Sequence, residues 1–201
     1  CQVEFIPVTH SVPHGFATAF HTPQGTILHT GDFKLDLTPV DGRLTDLARI
    51  GALSSGDGIR LLLSDSTNAD QPGHARSETS VGKVLYHLFH EHEGRRIVIA
   101  CFASHIHRVQ QIAGAAMAFG RKVATLGLSM KKNVRLARDM GLLHIADQAL
   151  VDIDDVRDLP PGQVCVISTG SQGEPMSALS LMAQRNNRWL EIDADDTVIL
   201  S

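Results

Sequence analysis

Two side chains near the start of the chain are of the types that hold metal ions in hydrolytic enzymes. His10 follows the apolar, strand-like run Val3–Val8, and Asp32 follows a second such run, Thr26–His29. Turn residues at Thr22–Gly25, flanked by the strand-like runs Phe16–His21 and Thr26–Thr30, predict a β-hairpin. If the strands before His10 and Asp32 are adjacent and end at one edge of a sheet, the imidazole and the carboxylate come together, which suits a hydrolytic metal site. A turn histidine and a strand-end aspartate that caps a loop are the alternative.

The remainder of the chain predicts strands that alternate with helices. The runs Arg96–Phe102, Lys122–Leu126 and Val164–Ser168 are apolar and strand-like, and segments with helical spacing lie between them. This alternation predicts a parallel sheet covered by helices. A polar loop at 66–77 is the best position for a domain boundary.

The composition is that of an ordinary globular protein. Of 201 residues, 43% are hydrophobic, and the formal net charge is −4, so a nucleic-acid partner would need a local basic patch. The chain has no Cys-x-x-Cys pair among its three cysteines, Cys1, Cys101 and Cys165. This pattern predicts reduced thiols in a cytoplasmic protein. No run has the length of a membrane span. Because the chain lacks an initiator Met and begins and ends in strand-like runs, we expect it to be a piece of a longer protein.

Five motifs in one order resemble ribonuclease J, the bacterial RNA-degrading branch of the β-CASP metallo-β-lactamase family. The motifs are His-Ser-Val-Pro at 10–13, Thr-Gly-Asp-Phe-Lys at 30–34, Leu-Ser-Asp-Ser-Thr-Asn at 63–68, Phe-Ala-Ser-His-Ile-His-Arg at 102–108 and Ser-Thr-Gly-Ser-Gln-Gly-Glu-Pro at 168–175. The resemblance implies an α/β fold. Part of a metallo-β-lactamase αββα sandwich (1–72) would precede a β-CASP domain (73–201), incomplete at its C-terminus, with a mostly parallel sheet flanked by helices.

The resemblance implies two divalent metal ions, with His10 and Asp32 among their ligands. Zinc is the first candidate for both ions, and manganese is the alternative. Asp32 would bridge both ions. The family's His-x-His-x-Asp-His motif is absent, and its final His would lie beyond Ser201. Since a catalytic zinc has about three protein ligands, we expect the isolated chain to be inactive. His14 stands where the family has Asp, which could alter the hydrogen bonds around the ligands.

Asp65 follows a run of leucines, and Arg60–Asp65 predicts a buried strand. The resemblance places Asp65 in the catalytic cleft, where it would orient groups near the metals, for example through a protonated carboxyl. An Asx-turn with the following Ser66-Thr67-Asn68 is the alternative, and both roles can hold together.

Two strand–helix junctions are candidates for contacts with RNA. At the first, a hydroxyl, two imidazoles and a guanidinium suit phosphate oxygens; these belong to Ser104, His105, His107 and Arg108. The alternative there is N-capping by Ser104 and a structural ion pair of Arg108. The second junction is a Gly-rich loop whose backbone could approach a phosphate, with a plain tight turn as the alternative. Its candidate residues are Thr169, Gly170, Ser171, Gln172, Gly173 and Glu174.

Two further features bear on RNA. A basic helix carries Lys131, Lys132, Arg135 and Arg138, which could contact the RNA backbone or form a solvated helix face. Leu181 stands where the family commonly has Arg, so a contact made by that Arg would be lost.

The resemblance implies a ribonuclease that hydrolyses RNA phosphodiester bonds in RNA turnover and maturation, by 5′-to-3′ exonuclease and endonuclease action. Its partner would be single-stranded RNA with a 5′-monophosphate; no membrane partner is expected, and a homo-oligomer is left open. The alternatives are a metallo-β-lactamase-fold hydrolase that acts on DNA or a small molecule, and a non-catalytic RNA-binding module.

Overall fold

A computed structural model describes residues 1–56 and 58–201. The chain forms two compact units, residues 1–81 and 82–201. Each unit contains a sheet of four strands. The division between the two units falls inside a helix, Glu78–Glu91. The domain boundary at 72–73 that the family resemblance implies stays a prediction.

The first unit is built on a mixed sheet with the strand order β1-β2-β3-β4. Its strands are β1 (Gln2–Val8), β2 (Gly15–Thr22), β3 (Gly25–His29) and β4 (Ile59–Leu63). The first three are antiparallel, and β4 pairs with β3 in parallel. The predicted hairpin is confirmed, since Thr22 pairs with Gly25 across a two-residue loop. Helix α1 (Leu47–Ser54) adds Ile50 and Leu53 to a core formed by Ile6, Val8, Ala17, Ala19 and Leu28.

Two expectations about this sheet are wrong. The strands before His10 and Asp32 are not adjacent, because β2 lies between β1 and β3. Both are antiparallel to β2, so they run in the same direction and still end at one edge. Strand β4 is also not buried: Leu61, Leu62 and Leu63 are exposed, since β4 is the last strand of this sheet and has a strand partner on one side only within the described residues.

An ion pair joins α1 to β1. Arg49 donates from Nε to Glu4 Oε1 (2.5 Å) and from Nη2 to Glu4 Oε2 (2.9 Å). His21 lies 3.1 Å from the same carboxylate. The hydrogen bonds from Arg49 and then from His21 lower the pKa of Glu4 to about 2.

The second unit has a fully parallel sheet with the strand order β6-β7-β5-β8. The strands are β5 (Ile97–Ala100), β6 (Lys122–Leu126), β7 (Val164–Ser168) and β8 (Thr197–Leu200). Helices α3 (Ile106–Ala118), α4 (Leu128–Asp139) and α5 (Ala178–Ala183) connect them, and α2 (Glu78–Glu91) comes before β5. This confirms the predicted α/β class, with a mostly parallel sheet flanked by helices. The central strands are apolar and buried, as expected for a sheet that is covered on both faces.

A buried arginine directly before β6 forms hydrogen bonds with three carbonyl groups of neighbouring segments. Arg121 donates from Nη1 to the carbonyl oxygens of Arg95 (2.7 Å) and Val164 (3.1 Å), and from Nη2 to that of His92 (2.9 Å). Its guanidinium lies 5.5 Å from the centre of the Phe89 ring. Burial lowers the pKa of Arg121, and the three carbonyls compensate the buried charge.

The three cysteines are free thiols, as predicted. Cys1 is exposed, whereas Cys101 and Cys165 are buried in the second unit. Burial raises the pKa of both buried thiols to about 12. In the part of the chain that the structure describes, no helix combines the length and the apolar character that crossing a membrane requires.

Candidate functional site

A backbone bridge holds the segments that follow β1 and β3 together. Lys34 donates its N–H to the carbonyl of Thr9 (2.8 Å). The hydroxyl of Thr45 accepts from the Thr9 N–H (2.9 Å) and donates to the Lys34 carbonyl (3.0 Å), and the Thr9 hydroxyl donates to the carbonyl of Arg43 (2.8 Å). We call this group of hydrogen bonds the Thr45 clamp. It fixes the residue before His10 against the residue two positions after Asp32.

The clamp brings the two predicted metal ligands together. His10 Nε2 lies 3.7 Å from Asp32 Oδ2, and the two side chains are 33% and 79% exposed. The turn before Asp32 depends on Gly31, which has a φ of +61° and whose added Cβ would lie 3.0 Å from the Phe16 carbonyl oxygen. The imidazole and the carboxylate therefore form an accessible pair at the sheet edge.

Asp65 reaches the same edge from the end of β4. Its N–H donates to the Thr30 hydroxyl (2.9 Å), and its Oδ2 accepts from the Phe33 N–H (3.4 Å). The hydroxyl and the N–H of Thr67 both donate to Oδ1 (2.7 and 3.0 Å), which is the Asx-type turn of the alternative. These hydrogen bonds from Thr67, with a smaller contribution from His10, hold the pKa of Asp65 below its usual value. This direction favours the carboxylate over the protonated carboxyl.

The His10–Asp32 pair fits two positions of a metal site. Imidazole and carboxylate are ligands of both zinc and manganese. Two ligands of one tetrahedral zinc lie about 3.3 Å apart for bonds of about 2 Å, close to the observed 3.7 Å. Among residues 1–56 and 58–201, no group of three or more His, Cys, Asp or Glu side chains is arranged to hold a metal. The pair therefore brings together two of the predicted ligands, and their role in binding metal stays a prediction.

His14, the residue that stands where the family has Asp, forms a hydrogen bond with Arg43. His14 has a φ of +60°, and its Nδ1 accepts a hydrogen bond from the Arg43 guanidinium. Its partner is therefore a cation and not one of the two candidate ligands.

An ion pair that the sequence did not predict anchors the 30–34 loop. Lys34 Nζ lies 2.9 Å from Glu78 Oε1, at the first residue of α2. Asp36 accepts hydrogen bonds from the N–H groups of Glu78 and Thr38 (both 2.9 Å). Burial alone would raise the pKa of Asp36, but these hydrogen bonds outweigh it and the pKa is lowered. The signal in the sequence was weak, because 44 residues separate Lys34 from Glu78.

In the second unit, the two junctions predicted to face RNA follow neighbouring strands. The N–H of Cys101, directly after β5, donates to the carbonyl of Ser168 at the end of β7 (3.0 Å). The crossovers β5–α3–β6 and β7–α5–β8 run in opposite directions along the sheet, so right-handed connections place α3 and α5 on opposite faces. The crevice between such strands is where open parallel sheets bind ligands.

At the first junction, the helix cap differs from the prediction. The N-cap of α3 is His105 and not Ser104, because His105 Nδ1 accepts the Arg108 N–H (3.2 Å). Ser104 is exposed and His105 is partly exposed. His107 and Arg108 are only 8% and 9% exposed, and the Arg108 guanidinium contacts the Ser201 hydroxyl. The burial favours a structural role for Arg108, while Ser104 and His105 are accessible to a ligand.

In the Gly-rich loop, backbone N–H groups already have partners within the loop. Gly173 donates to the Gly170 carbonyl (3.1 Å), and Gln172 donates to the Glu174 carboxylate (3.3 Å). Thr169 accepts at its hydroxyl from Ala178 (3.3 Å). These bonds match the tight-turn alternative.

The close packing of the loop explains its first glycine. Gly170 has a φ of +114°, and an added Cβ would overlap the Ser177 hydroxyl and lie 2.9 Å from Leu179 Cβ. Ser171 is half-buried, whereas Gln172, Gly173 and Glu174 are exposed. Side chains, more than the backbone, are therefore the groups that this loop offers to a ligand.

Comparisons with known proteins agree with this architecture. The family profile described as the β-CASP domain of ribonuclease J matches residues 94–201. Ribonuclease J of Mycobacterium tuberculosis is 49% identical over 201 residues, which are 100% of this chain and 36% of that protein. Ribonuclease J of Thermus thermophilus is 44% identical over 199 residues, 99% of this chain and 34% of that protein. The chain spans about a third of the length of these curated relatives.

A solved structure shares the fold at low identity. The crystal structure of a protein of unknown function from Enterococcus faecalis matches with a TM-score of 0.61 and 16% identity, over 98% of this chain and 53% of that chain. At this identity the match supports the fold alone.

Proposed function

Because the chain belongs to the ribonuclease J family, we propose that it is part of a metal-dependent ribonuclease that hydrolyses RNA phosphodiester bonds. Its substrates would be single strands with a 5′-monophosphate, cleaved by 5′-to-3′ exonuclease and endonuclease action. The observation that carries the proposal is the 3.7 Å approach of His10 Nε2 to Asp32 Oδ2 in a chain whose relatives are named Ribonuclease J.

The residues of the first unit would have distinct roles. His10 and Asp32 would supply a nitrogen and an oxygen ligand to divalent metal ions. Zinc is the first candidate for these ions, and manganese is the alternative. The bound metal would activate water and stabilise negative charge on the phosphodiester. Asp65, as a carboxylate, would accept hydrogen bonds and keep the 30–33 loop in place, so it is a positioning residue in this proposal.

The second unit would hold the RNA. Ser104 and His105 offer a hydroxyl and an imidazole to phosphate oxygens after β5, and Gln172 offers an amide after β7. Glu174 would repel phosphate, so we assign it to shaping the loop through its hydrogen bond with the Gln172 N–H. His107 and Arg108 would support the first junction from within the fold.

The proposal is tested with a chimera in which this segment replaces the matching 36% of Mycobacterium tuberculosis ribonuclease J. We expect the chimera to bind about two metal ions per chain and to cleave 5′-monophosphorylated single-stranded RNA. His10→Ala and Asp32→Asn should each lower the metal content, measured by mass spectrometry, and reduce cleavage by at least about 100-fold. Lys83→Gln, an exposed change on α2, is the matched control.

Two outcomes would overturn this proposal. One is a folded chimera that binds metal and cleaves no RNA, and the other is a His10→Ala variant that keeps the metal content and the activity of its parent. Circular dichroism separates a loss of function from a loss of folding.

A second candidate concerns residues 1–201 alone, and it is a non-catalytic RNA-binding module. The absence of a group of three metal donors among the described residues favours it. We expect this chain alone to bind single-stranded RNA in an anisotropy titration and to leave it uncut in the presence of Zn²⁺ or Mn²⁺.

A further inference from the structure

A groove beside the Gly-rich loop contains the chain's single tryptophan, Trp189. Its volume is about 650 Å³, within the range of sites that hold small ligands. Residues that directly follow β6 and β7 line it, including Gly127 and Thr169, so the groove opens at the carboxyl edge of the sheet. Lys131 of the basic helix and Thr169 of the Gly-rich loop both line this groove.

Cationic groups lie against the indole ring. The Arg188 guanidinium carbon is 4.0 Å from the ring centre, and Lys131 Nζ is 5.7 Å from it. Asp152 is 3.6 Å from Lys131 Nζ and partly balances that charge. The described residues that line the groove include both cations and no carboxylate. The groove is therefore positively charged next to an aromatic surface.

The backbone around the tryptophan is fixed by its neighbours. The buried Asn187 accepts at Oδ1 from the N–H groups of Trp189 (3.0 Å) and Leu190 (3.4 Å). Arg157 donates from Nε to the Trp189 carbonyl (2.7 Å). A ring held in this way needs little ordering when a ligand binds, which favours affinity.

The remaining walls are apolar. Leu128 and Met176 are strongly exposed, and Leu181 also lines the groove. An apolar surface combined with stacked cations fits a nucleobase that carries a phosphate, because bases stack on aromatic rings and on guanidinium planes while lysine neutralises the phosphate. A purely apolar peptide would offer no negative charge to Arg188, and none to Lys131 beyond that of Asp152.

We infer that this groove binds one or two nucleotides of single-stranded RNA, with a base stacked on Trp189 and Arg188 and a phosphate near Lys131. The inference deepens the proposed function and rests on it, since it takes RNA as the ligand. It adds a subsite in which stacking, and not the metal pair, holds the strand.

The single tryptophan makes the test direct, because all indole fluorescence of the chain comes from Trp189. We expect a ten-nucleotide oligouridylate to quench this fluorescence on binding. The same RNA in a duplex should quench it far less, because its bases are already stacked. Anisotropy of a labelled oligonucleotide measures binding independently of the tryptophan.

Matched variants separate stacking from charge. Trp189→Ala should weaken binding about tenfold, whereas Trp189→Phe should keep most of the affinity. Lys131→Gln should weaken binding and reduce the salt dependence by about one phosphate contact. Lys83→Gln, the same change at an exposed lysine of α2 that lies outside the groove, should leave both unchanged. Circular dichroism checks that each variant is folded.

The outcomes are distinguishable. If labelled RNA binds but the fluorescence of Trp189 stays constant and Trp189→Ala binds as tightly as the parent, this subsite is refuted and the proposed ribonuclease function is not. If an apolar peptide quenches the tryptophan and oligouridylate does not bind, the groove is a protein-docking site and the inference is wrong. Failure of the chimera to cleave RNA would refute the proposed function by a separate measurement.

Discussion

The Thr45 clamp is the structural basis of the His10–Asp32 pair, and a nearly isosteric substitution can remove it. Thr45→Val keeps the branched shape of the side chain but deletes the hydroxyl. That hydroxyl accepts from the Thr9 N–H at 2.9 Å and donates to the Lys34 carbonyl at 3.0 Å. Thr45→Ser restores the hydroxyl and is the matched control.

The expected magnitude follows from these two bonds. A hydrogen bond between neutral groups contributes about 1 kcal/mol net, so the loss of both costs about 2 kcal/mol. This corresponds to about a 30-fold change in an equilibrium constant. Because the bonds link the segments before and after the pair, we expect the cost to appear as local opening of the edge that carries His10 and Asp32.

Hydrogen exchange of individual amides, followed by NMR, measures this opening. Exchange of the Thr9 amide should become about 30-fold faster in Thr45→Val and change by less than about threefold in Thr45→Ser. The Cys101 amide, bonded to Ser168 in the second unit, is the internal reference and should not change. Equal protection of Thr9 in the parent and in Thr45→Val, or equal loss in both variants, would refute the reasoning.

Three further results are expected. Arg121→Met should lower the free energy of unfolding, measured in urea, by about 3 kcal/mol, because three carbonyl oxygens lose their donor and the Phe89 ring loses its contact with the guanidinium. Arg135 is exposed, so the control Arg135→Met should change the free energy of unfolding by less than about 0.5 kcal/mol. At pH 8 a thiol reagent should label only Cys1 in the folded chain, because the two buried cysteines have pKa values raised to about 12, and should label all three in denaturant. The Glu4 carboxylate has a lowered pKa of about 2, so its pairing with Arg49 should stabilise the first unit above the unfolded pKa of about 4.3 and be lost as the pH falls towards 2; Arg49→Gln should raise the pKa of Glu4 in an NMR titration.

Each of these has a clear contrary result. Equal urea midpoints for the two arginine variants would show that the buried guanidinium adds no net stability. Labelling of three thiols in the folded chain would contradict the burial of the second-unit cysteines. An ordinary pKa at Glu4 would show that the ion pair is absent in solution.

The sequence predicted those features of the site that depend on neighbouring residues in the chain. The runs before His10 and Asp32 ended at one edge, and the Thr22–Gly25 turn formed the expected hairpin. The run that forms β2 was predicted as the first arm of this hairpin, but its position between β1 and β3 was not, because the same turn and the same alternation fit either strand order. The metal and RNA roles of the site residues stay predictions.

The errors come from tertiary contacts that residue types do not reveal. Three consecutive leucines predict burial, yet their position in a terminal strand of the sheet leaves them exposed. The burial of His107 and Arg108, which are only 8% and 9% exposed, is likewise not suggested by their polar side chains, and their contact with RNA stays a prediction. The groove at Trp189 was invisible for a related reason, since Lys131 and Trp189 lie on different elements and only the fold brings them together.

The strand order of the parallel sheet constrains how the protein can be made. Ile97 of β5 pairs with Cys165 of β7 and with Thr197 of β8, so both neighbours of this strand are translated long after it. At about 5 to 20 residues per second, the second neighbour leaves the ribosome roughly 5 to 20 s after β5. Before β7 is made, a wholly apolar strand has neither of its neighbours to pair with, so the nascent chain must be shielded by its own helices or by a chaperone until synthesis reaches β7.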